Sequence, residues 1–207
     1  MIKVIIKRLF DFVVSLIGLV IISPILMIFA IRIKLDSKGP VFYRGQRIGL
    51  YGKQFRIYKF RSMVEKAEKI GPSSTSGDDP RITNVGSFMR RFKIDELPQI
   101  INVLIGEMSF VGPRPEVQKF VDQYTEEEKA ILTVRPGITD WSSLQFPNED
   151  EILDLHKDEY PDADEAYAIY IRPEKLRLQL KYVHNNNIVI DIIIICKTIL
   201  AVVSKVQ

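Results

Sequence analysis

The sequence has few of the residues from which disulfide-linked folds and zinc sites are built. Its one cysteine, Cys196, cannot form an internal disulfide, which excludes a disulfide-stapled fold and favours a reducing compartment. Its two histidines, His156 and His184, lie far apart and lack metal-ligand spacing, so no zinc site is expected. The sequence also has no Walker-type phosphate loop, serine nucleophile elbow or glycine-rich dinucleotide fingerprint. The enzyme classes that depend on those motifs are therefore excluded.

Positive charge is concentrated in the first half of the chain. Over all 207 residues the net charge is only +3, and the contents of 46% hydrophobic and 27% charged residues are those of an ordinary globular protein. Residues 1–100, however, carry 18 Lys and Arg against 8 Asp and Glu, a net charge of +10, whereas residues 101–207 carry 11 against 18, a net charge of −7. This basic half predicts an anionic partner, which is nucleic acid, a phosphorylated substrate or anionic lipid.

A long apolar run near the N-terminus favours a membrane among these partners. Residues 12–31 are 20 residues without a charge, which as a helix reach about 30 Å, enough to cross a bilayer core. A cleaved signal peptide is not expected, because the run continues to basic Arg32 and Lys34 without a small-residue cleavage site. Both flanks are basic, and a proline kinks a helix at Ser23-Pro24. These features favour a re-entrant helix-hairpin, kinked at Ser23-Pro24, over a straight span.

A second apolar segment, residues 188–203, predicts an amphipathic helix. Spaced at about 100° per residue, its polar and apolar side chains fall on opposite arcs. The polar arc contains Asp191, Lys197, Thr198, Ser204 and Lys205, and the apolar arc contains Ile188, Ile192, Ile195, Ile199, Val202 and Val203. A helix of this kind lies in the membrane interface, and the alternative is a helix packed on the core of the domain.

The middle of the chain predicts a compact α+β domain that is mainly helical. Residues 40–63 place aromatic and β-branched side chains on both sides of Gly49–Gly52, which predicts a short β-hairpin. Nine Lys and Arg between Arg32 and Arg61 are interpreted either as a solvated strand face or as a basic rim against phosphates or anionic headgroups. The acidic stretch 146–165 is interpreted as solvated surface without chemistry.

Two adjacent carboxylates are the strongest candidate site. Asp95 is predicted to be the N-cap of a helix that holds Pro98 in its first turn and ends at Gly106. The positive end of that helix would favour the ionised forms of Asp95 and Glu96. Such a pair is more often structural than catalytic, but here Arg90, Arg91 and Lys93 precede it and Arg114 follows it in a Gly-Pro-Arg-Pro turn. Carboxylates, arginines and a hard cation such as Mg²⁺ are together suited to a diphosphate.

The sequence resembles the bacterial sugar transferases known as monotopic phosphoglycosyl transferases, and its length is similar to that of the smallest members. The resemblance covers nearly the whole chain. It is carried by Lys7-Arg8-x-x-Asp11, Ser23-Pro24, Lys59–Met63, Asp79–Thr83, Asp95–Gln99, Asn102–Leu104, Met108–Pro115 and Arg135–Thr139. It implies a re-entrant membrane-anchoring helix over residues 1–38, a catalytic domain at the cytoplasmic face over 39–187 and an amphipathic interfacial helix over 188–207.

The resemblance also implies a reaction at the cytoplasmic face of the bacterial inner membrane. A sugar-1-phosphate passes from a UDP-sugar to polyprenyl (undecaprenyl) phosphate, UMP is released, and assembly of a glycoconjugate or polysaccharide begins. Asp95 is then the nucleophile that forms a covalent phosphosugar intermediate, and Glu96 is its partner. Mg²⁺, or Mn²⁺ in its place, is implied at Asp95 and Glu96. The implied phosphate contacts are Arg90, Arg114, Arg135 and Lys59.

The resemblance further implies membrane lipids and downstream glycosyltransferases as partners, no nucleic acid, and a monomer or weak dimer. After Thr139 the chain departs from many members, because Asp140–Asn148 replaces a stretch that contains a phosphate-binding arginine, so no particular sugar is predicted. Two alternatives stay open. One is direct transfer in a ternary complex, with Asp95 only a metal ligand, and the other is a non-enzymatic basic module that binds a membrane.

Overall fold

The computed structural model describes residues 2–71, 74, 75, 77 and 79–204, without the side chains of residues 68 and 203. Its helices are α1 (Ile2–Asp36), α2 (Asn84–Arg91), α3 (Gln99–Ile105), α4 (Gln118–Val121), α5 (Trp141–Gln145), α6 (Glu149–Leu155), α7 (Ala163–Ala166), α8 (Arg172–Asn185) and α9 (Ile188–Ser204). Its strands are β1 (Phe42–Tyr43), β2 (Gln46–Ile48), β3 (Gln54–Arg56), β4 (Lys59–Phe60), β5 (Ser109–Val111) and β6 (Gly137–Thr139). The predicted α+β class with mainly helical content is confirmed.

The predicted β-hairpin is also confirmed. β2 pairs antiparallel with β3, β1 pairs antiparallel with β4, and a short 3₁₀ turn over Leu50–Gly52 joins the inner strands. Phe55 and Ile57 are buried against Val103 of α3 and Met108, so the hairpin rests on the helix that follows the two carboxylates. This packing positions β4, and with it Lys59, beside the candidate site.

A second small sheet positions the Gly-Pro-Arg-Pro turn. Strands β5 and β6 are parallel, with Ser109 opposite Gly137 and Val111 opposite Thr139. At the end of this pair Gly112 approaches Gly137 so closely that a Cβ atom on Gly137 would lie 2.1 Å from the Gly112 nitrogen. Since no side chain fits at that distance, glycine is required at both positions. The close approach of the Gly112 and Gly137 backbones therefore fixes the position of the turn that carries Arg114, two residues after Gly112.

Helix α1 is continuous and carries Pro24 in its interior. The Ser23 hydroxyl donates a hydrogen bond of 2.8 Å to the carbonyl of Val20, in the turn before the proline. Within the described ranges, α1 is the one helix long and apolar enough to cross a membrane, by length and composition. Most of its apolar side chains are exposed, and Asp11, Ser15 and Ile33 are its buried residues.

Both ends of α1 are attached to the same central domain. Near its start, Arg8 donates hydrogen bonds of 2.6 and 2.7 Å to the carbonyls of Val103 and Leu104 in α3. At its end, the buried guanidinium of Arg61 donates hydrogen bonds of 2.6 to 2.8 Å to main-chain and side-chain oxygens of residues 37–40. The two arginines therefore hold opposite ends of the apolar helix against one body.

Helix α9 is amphipathic as predicted, and two residues of its polar arc, Asp191 and Thr198, bind the protein, whereas Lys197 and Ser204 are exposed. The carboxylate of Asp191 is buried, where it accepts hydrogen bonds from Lys7 at 2.5 Å and from the Tyr182 hydroxyl at 2.7 Å. Thr198 hydrogen-bonds to Thr139 at 2.8 Å. The opposite arc exposes Ile188, Ile192, Ile199 and Val202; Lys205 lies outside the described residues. Because α1 and α9 both point apolar side chains outward, the fold indicates membrane association.

Candidate active site

The chain brings the two carboxylates to a turn between α2 and α3, but Asp95 does not cap a helix. Asp95 lies in a 3₁₀ turn over Ile94–Glu96, and α3 begins at Gln99 after Pro98. The N-cap prediction is wrong because the backbone leaves no amide for the side chain to bind. The Leu97 amide donates to the carbonyl of Ile94, and Pro98 has no N–H. The predicted end of the helix at Gly106 is confirmed, with Gly106 in the left-handed conformation.

Glu96 is held by two cationic side chains. Lys59 Nζ donates to Glu96 Oε1 at 2.8 Å, and Arg114 forms a fork with both carboxylate oxygens, one of these bonds being 3.0 Å long. Burial by itself would raise the pKa of Glu96, but the charges of Arg114 and Lys59 outweigh it and hold that pKa well below its ordinary value. Glu96 is therefore a fixed anion in this site.

Asp95 is in the opposite situation. Its side chain is 7% exposed, and its Oδ1 atom is buried without a hydrogen-bond partner in the described part of the chain. Burial raises the pKa of Asp95 despite the nearby charge of Lys59, and the charge of Glu96 raises it further. The helix end that the sequence predicted at Asp95 is absent, because α3 begins only at Gln99, and burial is the largest influence on the pKa of Asp95. Adjacent carboxyls whose pKa values are moved apart are typical of sites where the two have different roles.

The other predicted phosphate contacts lie at different distances from this pair. Arg90, in the last turn of α2, makes no hydrogen bond to the pair in the described residues, although its charge lowers the pKa of Asp95. Arg135 is at the far end of α3, where its Nε donates a 3.0 Å hydrogen bond to the carbonyl of Gly106. Of the four predicted phosphate contacts, Lys59 and Arg114 thus bind the carboxylate pair directly. Arg90 acts on the pair only through its charge, and Arg135 binds the C-terminus of α3 instead.

An ion pair that the sequence analysis missed lies close to these groups. Glu149, at the start of α6, accepts a 2.8 Å hydrogen bond from Lys175 of α8. Burial would raise the pKa of Glu149, but the charges of Lys175 and Arg114 outweigh it and lower that pKa. Within 146–165, interpreted as solvated surface, Glu149 is half-buried and paired with Lys175. The sequence does contain one pattern that indicates this ion pair. Lys175 lies on the same face of α8 as the buried residues Leu176, Gln179 and Tyr182.

The segment that departs from the family pattern forms a capped helix. Asp140 is fully buried at the N-terminus of α5, where Oδ1 accepts a hydrogen bond of 2.7 Å from the Ser143 amide and its carboxylate also accepts from the Ser142 hydroxyl. Asp140 is therefore committed to capping α5. No group of three or more Asp, Glu, His or Cys suited to a metal occurs in the described ranges.

Taken with the exposed apolar faces of α1 and α9, the site defines a class of protein. It is a membrane-associated protein whose paired carboxylates lie among Lys and Arg side chains, an arrangement suited to phosphate chemistry. A family model for bacterial sugar transferases matches residues 2–205. The chain belongs to the bacterial sugar transferase family.

Three relatives illustrate the range of this similarity. A UDP-N-acetylgalactosamine-undecaprenyl-phosphate N-acetylgalactosaminephosphotransferase of Aeromonas hydrophila is 37% identical over 94% of this chain and 43% of that protein. A UDP-glucose:undecaprenyl-phosphate glucose-1-phosphate transferase of Escherichia coli is 44% identical over 67% of this chain and 30% of that protein. An uncharacterized sugar transferase of Bacillus subtilis, EpsL, is 34% identical over 94% of this chain and 86% of that protein. The chain thus spans less than half of the first two.

Proposed function

We propose that this protein transfers a sugar-1-phosphate from a UDP-sugar to undecaprenyl phosphate and releases UMP, the first step in assembling a glycoconjugate or polysaccharide. The observation that carries the proposal is the Asp95-Glu96 pair, in which Glu96 is locked by Lys59 and Arg114 while Asp95 Oδ1 has no partner among the described residues. The names of the relatives from Aeromonas hydrophila and Escherichia coli, which specify this type of transfer, support it.

The proposed reaction has two displacements at one phosphorus atom. First, an Asp95 carboxylate oxygen attacks the sugar-bearing phosphorus, the bond from that phosphorus to the bridging oxygen breaks, and UMP leaves with the bonding electrons. An oxygen of undecaprenyl phosphate then attacks the same phosphorus and displaces the Asp95 carboxylate. A buried oxygen without a hydrogen bond is suited to the first step, because no bond has to be broken before it attacks.

The remaining groups reduce the repulsion between an anionic nucleophile and an anionic donor. Glu96 orients Lys59 and Arg114, and the N–H groups of these side chains that neither Glu96 nor the Ile138 carbonyl uses are available to phosphate oxygens. Mg²⁺, or Mn²⁺ in its place, would be held by Asp95 and Glu96 together with the donor phosphates. The unpartnered Asp95 Oδ1 fits a metal ligand. When bound, the ion supplies further neutralisation of phosphate charge.

We further propose that α1 enters the membrane and returns to the cytoplasmic face without crossing it. The support is the attachment of both its ends to one domain, since a straight span would remove Arg8 from its carbonyl partners in α3. Ser23 and Pro24 are exposed midway between these attachments, where a fold-back would be deepest. The proposal keeps a membrane anchor over 1–38, a catalytic domain over 39–187 and an interfacial helix over 188–207.

Cysteine labelling tests this topology. In a Cys196→Ser background, Lys3→Cys should be protected from a membrane-impermeant thiol reagent in intact cells and should react once the cells are opened. Lys53→Cys, at the exposed hairpin of the central domain, is the matched reference and should behave in the same way. Labelling of Lys3→Cys, but not of Lys53→Cys, in intact cells would show that α1 crosses the membrane.

The activity is tested by measuring UMP release from a panel of UDP-sugars supplied with undecaprenyl phosphate and Mg²⁺. The purified protein should release UMP from at least one donor and form the corresponding lipid-linked phosphosugar. Folded protein that releases no UMP across a broad panel, but binds anionic vesicles, would instead be a basic membrane-binding module.

A further inference from the structure

A cleft of about 540 Å³ lies between the end of α2 and the start of α6. One wall is basic and is formed by Arg90, Arg91 and Lys93, and the other carries Asn148, Asp150 and Glu151. Its volume lies within the range of about 300 to 1,000 Å³ that small-molecule sites occupy. A cleft with opposite charges on its two walls suits a ligand that has an anionic part and a hydroxyl-rich part.

Both walls are linked electrostatically to the region of the carboxylate pair. On the basic wall, Arg90 and Lys93 lie close enough to Asp95 for their charges to act on its carboxyl group. On the acidic wall, Glu149 stands between two cleft-lining residues and is near Arg114, the residue that grips Glu96. Asp95 and Glu96 do not line the cleft, but a ligand with its anionic part against the basic wall would lie beside residues whose charges act on Asp95.

The side chains of the acidic wall are suited to hydroxyl groups. Glu151 is exposed and is oriented by the side-chain amide of Asn148, which donates to its Oε1 at 2.6 Å. Asp150, half-buried, makes no hydrogen bond or ion pair with the residues that the structure describes. Carboxylates repel phosphate but accept hydrogen bonds from hydroxyl groups, and these charge-assisted bonds are stronger than neutral ones.

We propose that this cleft holds the nucleotide-sugar donor and that Asp150 and Glu151 accept hydrogen bonds from hydroxyl groups of one of its sugar rings. The inference rests on the proposed function and adds a place for the donor and a recognition role for α6. Two rings of a UDP-sugar offer such hydroxyls, the ribose and the transferred sugar. Because UMP contains only the ribose, binding of UMP distinguishes the two.

The test uses the full-length protein with Asp150→Ala and Glu151→Ala combined. The measurements are kcat/KM for UDP-N-acetylgalactosamine and UDP-glucose, whichever supports UMP release, and the inhibition constant of UMP. We expect kcat/KM to fall about ten- to a hundredfold, as when hydrogen bonds to charged groups are lost, with Tm within a degree or so of wild type. Asp150→Asn with Glu151→Gln, which keeps an acceptor at each position, should recover part of this loss.

The inhibition constant of UMP assigns the ring. A parallel weakening of UMP places the ribose at Asp150 and Glu151, whereas unchanged UMP inhibition places the transferred sugar there. Glu126→Gln, at a side chain that is 91% exposed and outside the cleft, is the matched control and should leave all constants unchanged. If the alanine variant keeps kcat/KM within twofold of wild type, the inference is wrong. Failure of the proposed function would differ, because wild-type protein would then release no UMP from any UDP-sugar of the broad panel.

Discussion

Replacing Asp95 by asparagine should lower phosphosugar transfer by about four orders of magnitude or more, because the proposed nucleophile is removed. The same change should leave stability equal to wild type or higher. Asp95 is 7% exposed, its Oδ1 has no partner in the described part of the chain, and the burial of its charge outweighs the nearby charges of Lys59 and Arg90. An asparagine of the same size avoids the cost of burying that charge.

The measurements for Asp95→Asn are initial rates of UMP release and the free energy of unfolding in a chemical denaturant. Asp122→Asn, outside the site, is the matched control for loss of one negative charge. Turnover above a tenth of the wild-type value would show that Asp95 is not the nucleophile. A large loss of stability would show that Asp95 has a partner that the structure does not describe.

Replacing Glu96 by glutamine should impair both activity and stability. Glu96 is the anion that pairs with Lys59 and Arg114, and all three side chains are largely buried. Removing one partner leaves two positive charges without compensation, which should cost about 2 to 3 kcal/mol after allowing for their partial exposure. Turnover should fall about a hundredfold or more, since Lys59 and Arg114 lose the group that orients them.

Denaturant unfolding and a Mg²⁺ titration of turnover check the Glu96→Gln prediction. If Glu96 shares the metal, rising Mg²⁺ should restore part of the lost turnover but none of the lost stability. A variant that unfolds at the same denaturant concentration as wild type would contradict the description of Glu96 as the centre of the charge cluster. The two neighbouring carboxyls therefore differ in their expected effects: Asp95→Asn should not lower stability, whereas Glu96→Gln should.

The elements and residues that the sequence predicted depend on local patterns. The apolar run of α1, the polar and apolar arcs of α9 and the hairpin over 40–63 can each be recognised within a short window, as can the adjacent Asp95 and Glu96. Which face of α9 packs on the protein could not be predicted from the sequence of the helix itself. It depends on hydrogen bonds that Lys7 and Tyr182, from other parts of the chain, donate to Asp191.

The geometry of the site was beyond prediction for a similar reason. Glu96 binds Lys59, which is 37 residues upstream, and Arg114, which is 18 residues downstream. Hydrophobic periodicity along the sequence does not predict contacts between residues so far apart. The N-cap prediction for Asp95 failed because Lys93 takes the left-handed conformation, with φ of 55°, and starts a separate 3₁₀ turn. Residues other than glycine rarely have φ above zero, so nothing in the sequence indicated that the chain would turn at Lys93.

The central claim, that Asp95 carries the phosphosugar during transfer, is tested most directly by mass spectrometry of the quenched protein. Wild-type protein incubated with an active UDP-sugar and Mg²⁺, without lipid, should gain the mass of one phosphosugar on the peptide that contains Asp95 and release UMP to match. Adding undecaprenyl phosphate should remove that mass and yield the lipid-linked product. UMP release that requires both substrates together, with no adduct or with an adduct on another residue, would contradict the account.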